Sequence, residues 1–186
     1  MEILLAAVLG AALDLAFGDP RWLPHPVVLF GKLIALLEKL LRRVFPATKT
    51  GERLAGGVLA ALMLAVSFVP VFFLLRWLGR VSVWARFALE SFWCFQLLAA
   101  KSLKKESMKV YDALAAGDLP LARTQVGRIV GRDTGALTEA GVTKAAVETV
   151  AENASDGVVA PLFYLLLGGA PLGLLYKAVN TMDSMV

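Results

Sequence analysis

The stretch LAGGVLAALMLAVSFVPVFFLL, from Leu54 to Leu75, contains no charged residue. A helix needs about 20 apolar residues to cross the core of a bilayer, and this stretch supplies them. Gly56 and Gly57 allow a second helix to pack closely against it, and we expect Pro70 to kink the helix near its exit. The stretch therefore predicts a membrane-spanning helix.

Three further apolar runs, 3–17, 83–100 and 158–176, predict additional spans around this helix. The run 3–17 has no basic segment before it, as a signal peptide would, so we expect it to be retained as a short membrane helix. The run 83–100 contains Arg86 and Glu90 four residues apart. We expect these two side chains to pair with each other, because an isolated charge facing lipid is costly.

The composition also indicates a membrane protein. Hydrophobic residues make up 58% of the chain and charged residues 18%, whereas charged residues make up about a quarter of soluble domains. The single cysteine, Cys94, excludes an intramolecular disulfide and a thiolate metal site. The net charge of +4 comes without a basic-aromatic surface pattern, so nucleic acid is not an expected partner. The predicted fold class is all-α: a polytopic helical integral membrane protein whose residues 1–186 form one domain.

The distribution of basic residues predicts the orientation of this protein. Six basic residues lie in Lys32–Arg53 and eight in Lys101–Lys144, and the positive-inside rule places both regions in the cytoplasm. The segment 27–45 has one apolar and one charged face, which predicts a helix lying in the membrane interface. The segment 101–156 predicts a cytoplasmic helical insert. We therefore expect a multi-pass protein of the cell membrane.

A dense polar stretch, VETVAENASDG at 147–157, directly precedes the last apolar run. Glu148 and Glu152 share one helical face, and two carboxylates brought together favour a cationic partner. A second polar cluster, 180–184, follows the same apolar run. Lys144 lies four residues before Glu148, so a simple surface ion pair is the alternative for that residue. The residue types suit a hard cation and a phosphate, which indicates a polar site at the cytoplasmic edge of the membrane.

Four motifs carry a resemblance to a known family. They are LDLAFGDPRWLPHP at 13–26, IVGRDT at 129–134, KAAVETVAENASDGVVAPLFY at 144–164 and YKAVNTMDSMV at 176–186. In this order they resemble the CobD/CbiB family of cobalamin biosynthesis, over essentially the whole chain. Members of that family continue beyond the last motif, so the resemblance implies that the protein is longer than this chain.

The resemblance implies an integral membrane enzyme that forms an amide bond. It would join (adenosyl)cobyric acid to aminopropanol or its phosphate, at the free propionate of the corrin ring, to give (adenosyl)cobinamide or its phosphate. Activation of the propionate implies ATP with Mg²⁺ as cofactors, and chemistry of this kind depends on positioning and charge neutralisation. The implied partners are the corrinoid, the amine, membrane lipid and other membrane proteins of the corrinoid pathway.

Residue type and position then suggest roles within this reaction. Glu152, Asp156 and Asp183 are the candidate Mg²⁺ ligands, with Asn153 and Asn180 as neutral oxygen donors. The candidate catalytic residues are Glu148, Glu152, Asn153, Asp156, Asp183 and His25. The candidate substrate and phosphate ligands are Asp14, Asp19, Arg132, Asp133, Lys177 and Asn180.

Some of these residues have structural alternatives. We expect Asp133 to fix the guanidinium of Arg132 against a phosphate, but the pair is also suited to capping helices. His25 lies between two prolines and is either a base toward the attacking amine or part of a turn, and Asp19-Pro20 alone is typical of a turn. Two other functions remain open at this point: a transporter subunit with a carboxylate and asparagine ion site, and a non-catalytic membrane scaffold.

Overall fold

The computed structural model describes residues 1–20 and 22–185, and the regular secondary structure in this part is helical, which confirms the all-α prediction for it. Arg21 and Val186, which belong to two of the quoted motifs, lie outside the described residues. The helices are α1 (Glu2–Phe17), α2 (Pro26–Val44), α3 (Lys49–Val81), α4 (Val83–Leu97), α5 (Ala100–Ala115), α6 (Leu119–Val126), α7 (Glu139–Ala154), a π-helical turn (Ser155–Val159) and α8 (Ala160–Met185).

Local signals account for most of the helix boundaries. The hydroxyl of Thr138 accepts a hydrogen bond from the amide of Gly141 at 3.2 Å and caps α7. The carboxylate of Asp118 accepts one from the amide of Leu121 at 2.9 Å and caps α6. Gly117 ends α5 with a φ of 72°, a left-handed conformation that favours glycine. Helix stops and starts inside the insert therefore follow from the sequence itself.

Two helical stretches, Lys49–Val81 and Glu139–Met185, are long and apolar enough to cross a membrane by length and composition. The first contains the predicted span 54–75 and continues beyond it on both sides, with Pro70 inside the helix. The predicted span 83–100 is divided instead: α4 ends at Leu97 and α5 begins at Ala100. The predicted span 3–17 lies within α1.

Helices α1 and α4 run side by side in the same direction. Gly10 of α1 packs directly on Cys94 of α4, with no room for a Cβ, and Gly18, just after α1, contacts the side chain of Lys101 at the start of α5. Helix α3 runs in the opposite direction, because Gly79 faces Arg86 of α4 whereas the earlier residue Leu75 lines a cavity together with the later residue Glu90. The end of α1, the start of α3 and the start of α5 therefore share one end of the bundle, as the two basic regions require.

The predicted span 158–176 does not form one straight helix, because α8 folds back on itself as a hairpin. Gly168 and Gly169 have non-helical backbone angles, and the φ of 69° at Gly169 is left-handed. Beyond this point the chain folds back, so that the rings of Tyr164 and Tyr176 stack at 5.1 Å. Twelve residues of straight helix would separate these rings by roughly 18 Å. We name the two halves the outbound arm (160–167) and the return arm (170–185).

The hairpin lies at the centre of the bundle, where α8 contacts α1, α2, α3 and α4. Leu165 of the outbound arm and Leu174 of the return arm belong to the main apolar core, together with Ile34 and Met63. A second, smaller core unites α5, α6 and α7 of the insert around Val110, Val126 and Val142. The insert is thus a separately packed helical unit beside the bundle.

The predicted pair of Arg86 and Glu90 does not form. Nη1 of Arg86 lies 3.6 Å from Oε2 of Glu2, whereas Oε1 of Glu90 accepts a hydrogen bond from the amide of Ala170 at 2.7 Å. The return arm begins at Ala170, and the first amides of a helix have no partner within it. Glu90 supplies that partner from α4.

Candidate functional site

Pro161 determines the backbone at the base of the hairpin. It has no amide hydrogen, so it cannot donate to a preceding carbonyl. The amide of Ala160 donates to the carbonyl of Ser155 in a π-helical bond. The carbonyls of Asp156 and Gly157 therefore lack their usual helical donors and need partners from elsewhere, because buried carbonyls are rarely left unpaired.

Both freed carbonyls find a donor from another part of the fold. Nζ of Lys177, on the return arm, donates to the carbonyl of Asp156 at 3.0 Å. The amide of Ala99, between α4 and α5, donates to the carbonyl of Gly157 at 3.1 Å. The base of the hairpin is consequently tied both to its own return arm and to the end of α4.

The side chain of Asp156 is held from two directions. Its Oδ1 accepts a hydrogen bond from the hydroxyl of Tyr176 at 3.4 Å, and its Oδ2 accepts one from Nδ2 of Asn180 at 3.2 Å. The hairpin thus brings together Asp156, Lys177 and Asn180, which the sequence places on opposite sides of an apolar run. A carboxylate with about four lone-pair sites keeps two free in this arrangement.

The loop between α1 and α2 forms a cleft near this carboxylate. The cleft has a volume of about 480 Å³ and is lined by Asp19, Trp22, His25 and Gln96, among others. Nε2 of His25 lies 3.9 Å from Oδ1 of Asp19, and both side chains are about 30% exposed (28% and 30%). The amide group of Gln96 donates to the carbonyl of Pro24 at 2.8 Å and holds the loop against α4.

His25 is a proton donor toward the cleft in this geometry. Its Nδ1 accepts a hydrogen bond from the amide of Val27 at 3.3 Å, which caps α2 and leaves the proton of the neutral ring on Nε2. Burial lowers the pKa of His25; Asp19 acts in the opposite direction and the charge of Lys177 adds to the lowering. The ring is therefore neutral near pH 7, and Lys177 lies within electrostatic range of the cleft.

Asp14 has a structural role, which corrects its prediction as a substrate ligand. Its side chain is buried, with 1% of the residue exposed. Its Oδ2 accepts a hydrogen bond from the amide of Ala100 at 2.8 Å and caps the start of α5. A substrate has no access to this carboxylate, which instead fixes α1 against the junction of α4 and α5.

Arg132 and Asp133 do not interact as predicted. Nη2 of Arg132 lies 3.2 Å from Oε2 of Glu148, and Nζ of Lys144 lies 3.7 Å from Oε1 of the same residue. Asp133 accepts a hydrogen bond from the amide of Gly135 at 2.9 Å and shapes a turn. Arg132 and Glu148 are more than half exposed, and an exposed pair contributes only about 0–1 kcal/mol, so Arg132 can readily exchange this partner for a phosphate.

The predicted three-carboxylate metal site is not assembled. Glu152, Asn153 and Asp183 are exposed, and within residues 1–20 and 22–185 no three His, Cys, Asp or Glu side chains are grouped closely enough to hold a metal ion. Asp156 is the predicted metal ligand whose side chain is fixed by neighbours. Mg²⁺ in nucleotide sites needs only one or two protein carboxylates, because phosphates and water supply the remaining ligands.

The family model described as CobD/Cbib protein matches residues 7–186. The chain belongs to the CobD/CbiB family. It is 52% identical over 99% of its length to "Cobalamin biosynthesis protein CobD" of Geobacter metallireducens and 42% identical over 98% to "Cobalamin biosynthesis protein CbiB" of Salmonella typhi. The chain spans 56% and 57% of these two relatives. No solved structure matches it.

In this CobD/CbiB chain, two residues near the site had no place among the sequence predictions. Tyr176 lies four positions before Asn180, so the two share a helical face, and that spacing was a usable signal. Ala99 contributes only its backbone amide, and no side-chain pattern signals such a role. The members of the site that act through side chains are therefore more visible in the sequence than those that act through the backbone.

Proposed function

We propose that the protein is a multi-pass membrane enzyme of cobalamin biosynthesis that joins (adenosyl)cobyric acid to aminopropanol or its phosphate. Family membership and the names of the relatives support the pathway. The observation that carries the proposal is the fixed carboxylate of Asp156, held by Tyr176 and Asn180 next to the buried ammonium of Lys177.

The distribution of apolar and polar residues supports a membrane location. Val8 of α1 and Phe73 of α3 are 59% and 61% exposed on the outside of the bundle. Glu90, Gln96 and Lys177 are buried inside it. An apolar exterior with polar groups buried inside is stable in lipid, because those polar groups find partners within the protein instead of facing the hydrocarbon. The shared end of the two basic regions supports a cytoplasmic position for the site.

The residues of the site fit a nucleotide and its metal ion. Asp156 has two free lone-pair sites for Mg²⁺, and Lys177 and Arg132 provide cations for phosphate oxygens. When bound, ATP with Mg²⁺ would supply the activation of the corrinoid propionate. Lys177 would offset negative charge that develops beside Asp156, and Arg132 would leave Glu148 to bind a phosphate of ATP or of the amine substrate.

The cleft fits the amine. The carboxylate of Asp19 would accept a hydrogen bond from the ammonium group of aminopropanol and receive the proton that must leave before attack on the activated carbonyl. His25 would line the cleft beside Asp19, with its Nε2 at 3.9 Å from Oδ1, beyond hydrogen-bond distance. The amide bond would then form between this nitrogen and the carbonyl carbon, as the bond between that carbon and the activated oxygen breaks.

The decisive experiment is an assay of the full-length protein in membranes or detergent with cobyric acid, ATP, Mg²⁺ and each amine in turn. We expect an ATP-dependent product with the mass of cobinamide or its phosphate. Omission of ATP should abolish it. Lack of product with both amines, from protein that is folded and bound to the membrane, would contradict the proposal.

The broken helix α8 favours transport as a second candidate function. Transporters place substrates at discontinuous helices whose half-helix ends face a central site, and the hairpin has such an end at Ala170. Reconstituted vesicles distinguish the two functions, because a transporter would move an ion or solute without consuming cobyric acid. The scaffold alternative predicts neither activity.

A phosphate role for Arg132 can be measured directly. We expect Arg132→Ala to raise the KM of the phosphate-bearing substrate at least about tenfold and to leave membrane insertion unchanged, since it removes one charge-assisted hydrogen bond. Lys144→Ala is the matched control, because it removes the other cation beside Glu148. An unchanged KM in Arg132→Ala would refute the phosphate assignment.

A further inference from the structure

Glu90 is a buried carboxylate that takes no part in the proposed reaction. It lies in the middle of α4, and 4% of the residue is exposed. Placing a carboxylate in such a position is costly unless hydrogen bonds compensate. Its partner is the amide of Ala170, at 2.7 Å from Oε1, on a segment 80 positions away in the chain.

The tip of the hairpin is built around this carboxylate. The return arm starts at Ala170, and the next residue, Pro171, has no amide hydrogen. Ala170 thus presents the first free amide of that helix, and an acidic group at a helix N-terminus also interacts favourably with the helix dipole. Gly169 lies so close to Oε1 of Glu90 that a Cβ at this position would overlap it.

The same return arm carries the groups that hold Asp156. Lys177 and Asn180 lie seven and ten residues after Ala170, or roughly 10 and 15 Å along a helix. The arm is therefore attached at its tip to α4 through Glu90 and at its base to the π-helical turn through Asp156. A shift of the tip along the arm axis displaces Lys177 and Asn180 by the same amount.

We infer that Glu90 is a positioning residue that sets the register of the return arm and thereby holds Lys177 and Asn180 against Asp156. Glu90 acts through its Oε1, since this oxygen accepts the hydrogen bond from the amide of Ala170. The expected effect of Glu90 on catalysis rests on the proposed function. Its expected effect on the register of the hairpin is independent of that function.

The hairpin register can be measured by disulfide cross-linking. The reporter is the full-length protein with Cys94→Ala and with cysteines in place of Tyr164 and Tyr176, whose rings stack across the two arms. We expect Glu90→Ala to slow cross-linking about tenfold, as loss of one buried hydrogen bond implies. Glu90→Gln keeps an acceptor oxygen and should remain within about twofold of the parent.

Ser91→Ala is the matched control. Ser91 is buried on the same helix, but its hydroxyl donates to the carbonyl of Phe87 and not to the hairpin. If Glu90→Ala does not yield folded protein, Glu90→Met, which has similar length and no acceptor oxygen, takes its place. Cross-linking at the parent rate in Glu90→Ala or Glu90→Met would overturn the inference. So would a Glu90→Gln protein as slow as Glu90→Ala, or an equal loss in Ser91→Ala.

The activity assay of the protein with both tyrosines intact separates this inference from the proposed function. We expect Glu90→Ala to lower kcat about tenfold and Glu90→Gln to restore it. If the parent protein forms no amide but the cross-linking rates follow the expected order, the proposed function fails and the positioning role stands. If the parent is active and kcat falls without a change in cross-linking, the positioning role fails.

Discussion

Asp156→Asn is expected to lower the rate of amide formation at least about 100-fold while leaving the protein folded. An asparagine keeps the shape of the side chain but removes the negative charge on which a Mg²⁺–phosphate group depends, and loss of such electrostatic stabilisation costs on the order of 10²–10³ in rate. The variant also keeps an oxygen that can accept from Asn180 or Tyr176. The measurement is kcat in membranes, together with the thermal unfolding midpoint.

Glu139→Gln is the control for this prediction. Glu139 is an exposed carboxylate in the first turn of α7, on the same continuous stretch of helix. The Glu139→Gln protein should form the amide at the parent rate, because residue 139 lies far along the helix from the hairpin. An Asp156→Asn protein that converts cobyric acid at the parent rate would remove Asp156 from the metal role.

Gly169→Ala is expected to cost on the order of 3 kcal/mol in the free energy of unfolding. A non-glycine residue at the φ of 69° found there is strained by about 1–3 kcal/mol. Its Cβ would also meet the carboxylate of Glu90, and overpacking a buried position adds about 1–3 kcal/mol. Thermal unfolding in detergent, followed by tryptophan fluorescence, measures the effect.

Gly117→Ala provides the comparison, because it isolates the backbone strain. Gly117 has a φ of 72°, but no heavy atom lies within 4 Å of the Cβ that an alanine would add. We expect its cost to be about 1 kcal/mol, the value for alanine in a left-handed turn. Equal losses in the two variants would show that close packing on Glu90 contributes nothing to the stability of the hairpin tip.

The sequence predicted the individual helices well because their signals are local. Thr138, Asp118 and Gly117 end or begin helices through contacts within a few residues of themselves. The uncharged run at 54–75 needs only its length and composition to indicate a long apolar helix. Asp156, Asn180 and Lys177 were candidate site residues because each is a polar residue at the edge of an apolar run, and the fold brings them together.

Spacing of four residues along a helix predicted one pair correctly, because Nζ of Lys144 lies 3.7 Å from Oε1 of Glu148, and it failed for another. Arg86 and Glu90 are correctly spaced to pair, yet each has a partner from another segment. Glu152, Asp156 and Asp183 were grouped by residue type, but in the fold Glu152 and Asp183 remain exposed. Asp14 was a candidate substrate ligand by residue type and position, whereas in the fold its buried carboxylate caps α5 at the amide of Ala100.

By itself, the sequence determined that this protein is an apolar, helical chain with a polar stretch before Pro161, because composition, caps and a missing amide hydrogen act locally. Only the tertiary structure decided that the last apolar run folds into a hairpin and not into one straight helix. Gly168 and Gly169 permit a reversal, but a straight helix is equally compatible with their neighbours. The carboxylate of Glu90, 80 positions from Ala170, stabilises the reversed form, and a contact between such distant residues exists only once the bundle has packed.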